Sequence, residues 1–184
     1  MKYWSKSTLT IFRYVSAMCN SIDKNVLDLG NKSNSALSRK YNNIYHTTDK
    51  MIELIDRKRK MLNLKIASED TVSRMTSTNK RIITLVFFDG VKSELVAQLL
   101  GISLRTFFRK KNDALKEFET ILQAIGYDEE FFEREYSCEK WFMAVYDEIL
   151  AKGINFRDEI DTFVLNRVFK EISKIHASYN TFCI

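Results

Sequence analysis

The run SELVAQLLGISLRTFFRKKNDAL, from Ser93 to Leu115, reads as a short helix, a tight turn and a longer basic helix. Ser93 is placed to cap the first helix, and Glu94, Ala97 and Gln98 are good helix formers. Leu95, Val96, Leu99 and Leu100 give that helix its apolar positions. Gly101 follows at once, where a helix end favours a residue that tolerates positive φ. Ile102 is expected to fill the angle between the helices, and Ser103 to cap the next one. From Leu104 to Asn112 the chain carries Arg105, Arg109, Lys110 and Lys111 and no acid.

A basic run by itself is usually a solvated face. Here the small Ala97 lies four residues before the turn glycine, where two helices cross closely. Val96, Leu100, Ile102 and Phe107 supply a core, and positive charge gathers only after the turn. That combination predicts a helix-turn-helix whose second helix touches nucleic acid.

The segment from about Asn79 to Phe118, a quarter of the chain, resembles region four of bacterial sigma factors. The marks are Gly90, Leu100-Gly101-Ile102-Ser103 and Ala114-Leu115. The run Ser103 to Lys111 is closer still to phage-borne regulators of the ArpU and RinA type. Lys111 departs from the sigma pattern, which buries an aliphatic residue at that position. The resemblance implies control of phage or prophage genes, as an activator working near RNA polymerase.

On this reading the helix from Leu104 enters the major groove. Arg105 and Arg109, one turn apart, present guanidinium forks to base edges, with Ser103, Phe108 and Asn112 on the same side. Asn can read adenine, and Phe can meet a thymine methyl group. Lys92, Thr106 and Lys110 are assigned to phosphates, with the positive end of the helix at Ser103.

The flanks read as helical too. The 184 residues include no proline and only five glycines, and 45% are hydrophobic, with 13 Phe and 8 Tyr. The expected fold is all-α: an N-terminal pair of long helices (1–75), the central helix-turn-helix domain (76–126) and an acidic C-terminal helical hairpin (127–184). The first pattern runs from Thr8 to Leu29 and stops at Gly30, with a polar connector over 31–35. A second runs from Thr47 or Thr48 to Met75, antiparallel to the first, and contains the basic run Arg57 to Lys60. That run reads equally as a solvated face or as a contact to DNA backbone. Ser77 or Thr78 caps a support helix ending at Asp89-Gly90. The basic helix continues to Gly126, its second half expected against the C-terminal segment. Ser137 caps a helix carrying Trp141 and Phe142. Asn155, with Asp158 three residues on, caps a last helix carrying Ile160 and Ile175.

Charge is unevenly spread. Residues 1–75 hold 14 basic and 7 acidic groups, residues 76–118 hold 8 and 4, and residues 119–184 hold 7 and 13. The acidic end should therefore face away from a polyanion, as an oligomerisation or docking segment. Cys19, Cys138 and Cys183 are odd in number and in no pairing pattern, so free thiols in a reducing cytoplasm are expected. No metal site, cofactor, catalytic constellation or membrane span is expected. The expected partners are double-stranded DNA, RNA polymerase and further copies of the chain. Two alternatives stand beside a DNA-binding regulator: a polymerase-binding module with weak DNA binding, and a small terminase-like binder of a packaging site.

Overall fold

The computed structural model describes residues 1–36, 42–153 and 162–174, and their regular elements are all helices. They are α1 (Lys2–Phe12), α2 (Val15–Ala36), α3 (Asn42–Ser73), α4 (Ser77–Ile83), α5 (Ser93–Leu99), α6 (Leu104–Ala124), α7 (Glu129–Tyr136), α8 (Lys140–Lys152) and α9 (Thr162–Ser173). A π-helical turn, Thr84–Phe88, extends α4.

The chain wraps around α1, which is buried from Trp4 to Phe12 despite its Ser, Thr and Lys content. Its hydroxyls make this possible. Those of Ser7, Thr8 and Thr10 donate to the carbonyls of Tyr3, Trp4 and Lys6, one turn back, at 2.7, 2.9 and 2.7 Å. Trp4 stacks on Phe132 of α7 and Phe142 of α8, with centroids 5.5 and 5.8 Å apart. The aromatic stripe of the C-terminal segment is thus core, filled by the N-terminal helix. A single buried cluster runs from Trp4 through Ile22, Leu54, Ile82, Phe107 and Phe118 to Trp141 and Ile172.

Several local expectations need correction. The pattern expected as one helix over Thr8–Leu29 is two helices, broken at Arg13–Tyr14. Phe12 stacks on Phe88 at 3.5 Å there, and the Arg13 guanidinium lies against Gly90. The break therefore lies against the end of the segment that precedes α5. Gly30 does not end a helix, because α2 continues to Ala36. A Cβ at Gly30 would lie 3.8 Å from the Met51 methyl, so the glycine sits where α2 and α3 cross. Asp23 with Lys58, Ser16 with Lys65, and Gly30 with Met51 fix α2 and α3 as antiparallel. Ser93 is the first residue of α5, after Lys92 as its cap, and Thr76 precedes α4. Ser137 ends α7, its hydroxyl donating back to the Glu133 carbonyl; Glu139 precedes α8. Asn155, Asp158, Ile160 and Ile175 lie outside the described residues.

Two residues of the basic run of α3, Arg57 and Lys60, are structural. Arg57 is buried, and its Nη1 donates to the carbonyls of Ile172 and Lys174 at 2.7 and 3.0 Å, closing the end of α9. Its Nη2 binds Glu53 Oε1 at 2.6 Å. Lys60 Nζ binds Glu139 Oε1 at 2.8 Å, and Trp141 donates to the other oxygen of the same carboxylate. Lys58 binds Asp23, and Arg59 binds Asp56. Arg57 and Lys60 are therefore spent on the protein's own acids and carbonyls, whereas Arg59 stays largely exposed beside Asp56. Helix α6, whose second half was expected against the C-terminal segment, has α4, α1, α3 and α5 as its principal neighbours. Of the cysteines, Cys19 is a free buried thiol, and Cys183 lies outside the described residues.

Candidate nucleic-acid interface

The site is built from α5, the turn at Gly101 and the first half of α6. Gly101 has φ +64°, a left-handed backbone that needs no Cβ, and its N–H closes on the Gln98 carbonyl at 3.0 Å. The Ile102 N–H reaches the Ala97 carbonyl at 3.1 Å, completing the stop of α5. Ser103 then caps α6, its hydroxyl accepting from the Thr106 N–H at 3.2 Å. Val96 and Ala97 of α5 are buried against α6, so the small residue at 97 allows the close crossing.

The inner face of α6 is set by Phe107, Lys111, Ala114, Phe118 and Leu122, all buried. These recur at steps of four, three, four and four, one continuous stripe. The opposite face is consequently free. Ser103, Arg105, Phe108, Arg109 and Asn112, the five residues expected to read bases, are all exposed. On a 3.6-residue helix Arg105, Phe108, Arg109 and Asn112 fall within about 100° of one another. Of the residues expected at phosphates, Lys92 is exposed beside α5, while Thr106 and Lys110 are half-buried. The Thr106 hydroxyl lies 2.9 Å from that of Ser103, so both serve the cap as well.

Lys111, read as part of the basic run, is in the buried row, only 4% exposed. The departure from an aliphatic residue does not rotate the helix, because Phe107 and Ala114 stay inside with it. The lysine stem fills the aliphatic position, and its Nζ reaches outward to lie 5.2 Å from the centroid of the exposed Phe108 ring. Its charge thus supports the outer face from behind.

The face continues further than the sequence suggests. Lys116 lies one turn beyond Asn112 and is exposed. Between α6 and α1 is a cleft of about 210 Å³ lined by Asn112, Lys116, Leu115 and Glu119 on one side and Lys2, Ser5 and Lys6 on the other. Asn112 therefore stands at the rim of a basic cleft, not on open helix. The Ser5 hydroxyl is buried there without a hydrogen-bond partner. Nothing in the local pattern around residue 2 could have placed it beside residue 112; only the packing of α1 on α6 does so.

Two contacts orient the site on the core. Glu117, on α6, accepts from the Thr76 N–H at 2.8 Å and the Thr76 hydroxyl at 3.0 Å, and from Asn79. It thereby holds the start of α4 against α6. Partial burial raises its pKa, but the hydrogen bonds from Thr76 and Asn79 outweigh this and leave it below the ordinary value. At the far end of the support helix, Gly90 has φ +69° and packs under the Arg13 guanidinium.

Comparison with protein-family models, with curated proteins and with solved structures finds no match to this chain. No group of acids, histidines and cysteines able to hold a metal ion occurs among the described residues. Nor is any helix among them long and apolar enough to cross a membrane.

Proposed function

We propose that this protein is a sequence-specific DNA-binding transcriptional regulator that reads the major groove with the first half of α6. The observation that carries the reading is the exposed strip from Ser103 to Asn112. It combines two arginines, an aromatic ring and an amide, and the opposite side of the same helix is anchored in the core. Arginine forks recognise guanine O6 and N7, an amide pairs with adenine, and an exposed aromatic ring can meet a thymine methyl. Lys92, Lys110 and the N-terminus of α6 supply phosphate contacts. The resemblance to sigma region four and to ArpU- and RinA-type regulators agrees with this and suggests a phage or prophage role. Selection of bound fragments from random double-stranded DNA, followed by sequencing, tests the proposal. An enriched motif is expected; recovery of unselected sequence contradicts it.

A second reading has its own observation. Leu95, Leu99 and Leu104 are 51%, 59% and 40% exposed, an apolar group around the turn of the hairpin. Leucines do not bind phosphate, so this face suits a protein partner such as RNA polymerase. Pull-down of polymerase core with Leu99→Asp and wild-type protein in parallel tests it, since only the wild type should retain core.

A further inference from the structure

Helix α3 carries a buried stripe and, on the opposite side, an exposed apolar one. The first is Leu54, Arg57, Met61, Leu64, Ser68 and Thr71, all buried in the chain's own core. The other is Tyr45, Ile52, Ile55, Leu62 and Ile66, which are 74%, 51%, 55%, 39% and 62% exposed. With Arg59 the second stripe steps by seven, three, four, three and four, the spacing of a helix-packing seam. An ordinary solvated face carries Lys and Glu at such positions. Here the row holds one charge, Arg59, and Asp49 and Asp56 lie beside it.

We infer that this stripe is a homodimer interface in which α3 of one copy packs antiparallel against α3 of a second. Three observations select a second copy. The first is spacing: the exposed row keeps the alternation of three and four that packs on another helix, as α3 of a second copy offers. The second is the self-complementary pair Arg59 and Asp56, already joined at 2.6 Å and both accessible. A two-fold axis level with Arg57 sets Ile52 opposite Leu62 of the second copy and Ile55 opposite its Arg59. Each Arg59 then also reaches the Asp56 of the other copy, as an isologous contact requires. The third observation is the sign of Arg59 itself. A parallel pairing would place the two Arg59 guanidinium groups at one level of the seam, where like charges repel, and the antiparallel pairing avoids this.

Sedimentation velocity of the full chain at micromolar concentration, without DNA, tests the inference. A dimer is expected. Ile55→Asp should raise its dissociation constant at least ~100-fold, since a central apolar contact is replaced by a charge on both sides. The same variant should keep its helical circular dichroism, because the side chain is exposed within each copy. Leu95→Asp, on another surface, should leave the dimer intact. Exchanging the charges with Asp56→Arg and Arg59→Asp together should restore most of the affinity that Arg59→Asp alone removes. Oxidative cross-linking through Asp56→Cys is expected; self-cross-linking through Ile66→Cys instead would overturn the antiparallel arrangement. A monomer at every concentration, or a dimer that survives Ile55→Asp, overturns the interface. Because no DNA is present, these results stand apart from the proposed function.

Discussion

Gly90→Ala probes the joint where the N-terminal helices hold the helix-turn-helix in place. Two costs add at this position. The backbone is left-handed, with φ +69°, and a residue with a Cβ pays about 1–2 kcal/mol there. In addition, the new Cβ would lie 2.1 Å from Arg13 Nη1 and 3.3 Å from its Cζ, so the guanidinium must leave. Its stacking over Tyr14, 5.0 Å from the ring centroid, is then at risk, at about 0.5–1 kcal/mol. Gly101→Ala is the internal control. It has a similar φ of +64° but nothing within 4 Å of the added methyl, so only the backbone cost applies. Urea unfolding followed by circular dichroism should give a loss of ~1.5–3 kcal/mol for Gly90→Ala and ~1–2 kcal/mol for Gly101→Ala. In thermal melts each kcal/mol corresponds to about 2–4 °C for a chain of this size. In an Arg13→Ala background the cost of Gly90→Ala should fall to that of Gly101→Ala. Equal costs in the wild-type background, or no change on removing Arg13, would refute the packing of Arg13 on Gly90.

Arg57→Met should destabilise the protein by about 3–5 kcal/mol, because Glu53 and the carbonyls ending α9 lose a buried cation. Arg74→Met, which breaks only the exposed pair with Asp70, should cost under about 1 kcal/mol by the same unfolding assay. Comparable losses in the two variants would contradict the structural role of Arg57. Glu117 has a folded-state pKa below its ordinary value, so the stability it contributes is fully present above that value. It is lost as pH falls through the lower, folded value. Glu117→Gln should accordingly flatten the acid flank of the stability-pH curve, and an unchanged flank would count against the Thr76–Glu117 contact.

The local grammar of the central segment was legible because its signals lie within a few residues of their effects. Gly101 stops α5 and Ser103 caps α6 by backbone geometry and a single side-chain bond. The alternation of Phe107, Ala114 and Phe118 with Arg105, Phe108 and Arg109 fixes which face is inner. Lys111 was read with the basic run because its identity points outward, yet its position in the stripe decided its burial. The role of Arg57 to Lys60 was hidden for a related reason. The partners of Arg57 and Lys60, the end of α9 and Glu139, lie 79 to 117 residues away, so charge that looks free in sequence is neutralised by tertiary contact. The cleft joining Lys2 to Lys116 was likewise unreadable, since it exists only through the packing of α1 on α6. Gly30 misled by its type: a glycine ends a helix when its φ is positive, and here it sits within a helix where two helices cross.

The proposed base reading depends most directly on Arg109, exposed on the outer face of α6 one turn from Arg105. Binding of the wild type and Arg109→Ala to the selected DNA motif, by gel shift at fixed salt, is the decisive comparison. The variant should lose ~1–3 kcal/mol of specific affinity and relax its preference at one base pair, while binding to unrelated sequence changes little. Unchanged affinity for the motif, with folding intact, would show that this face of α6 does not read bases.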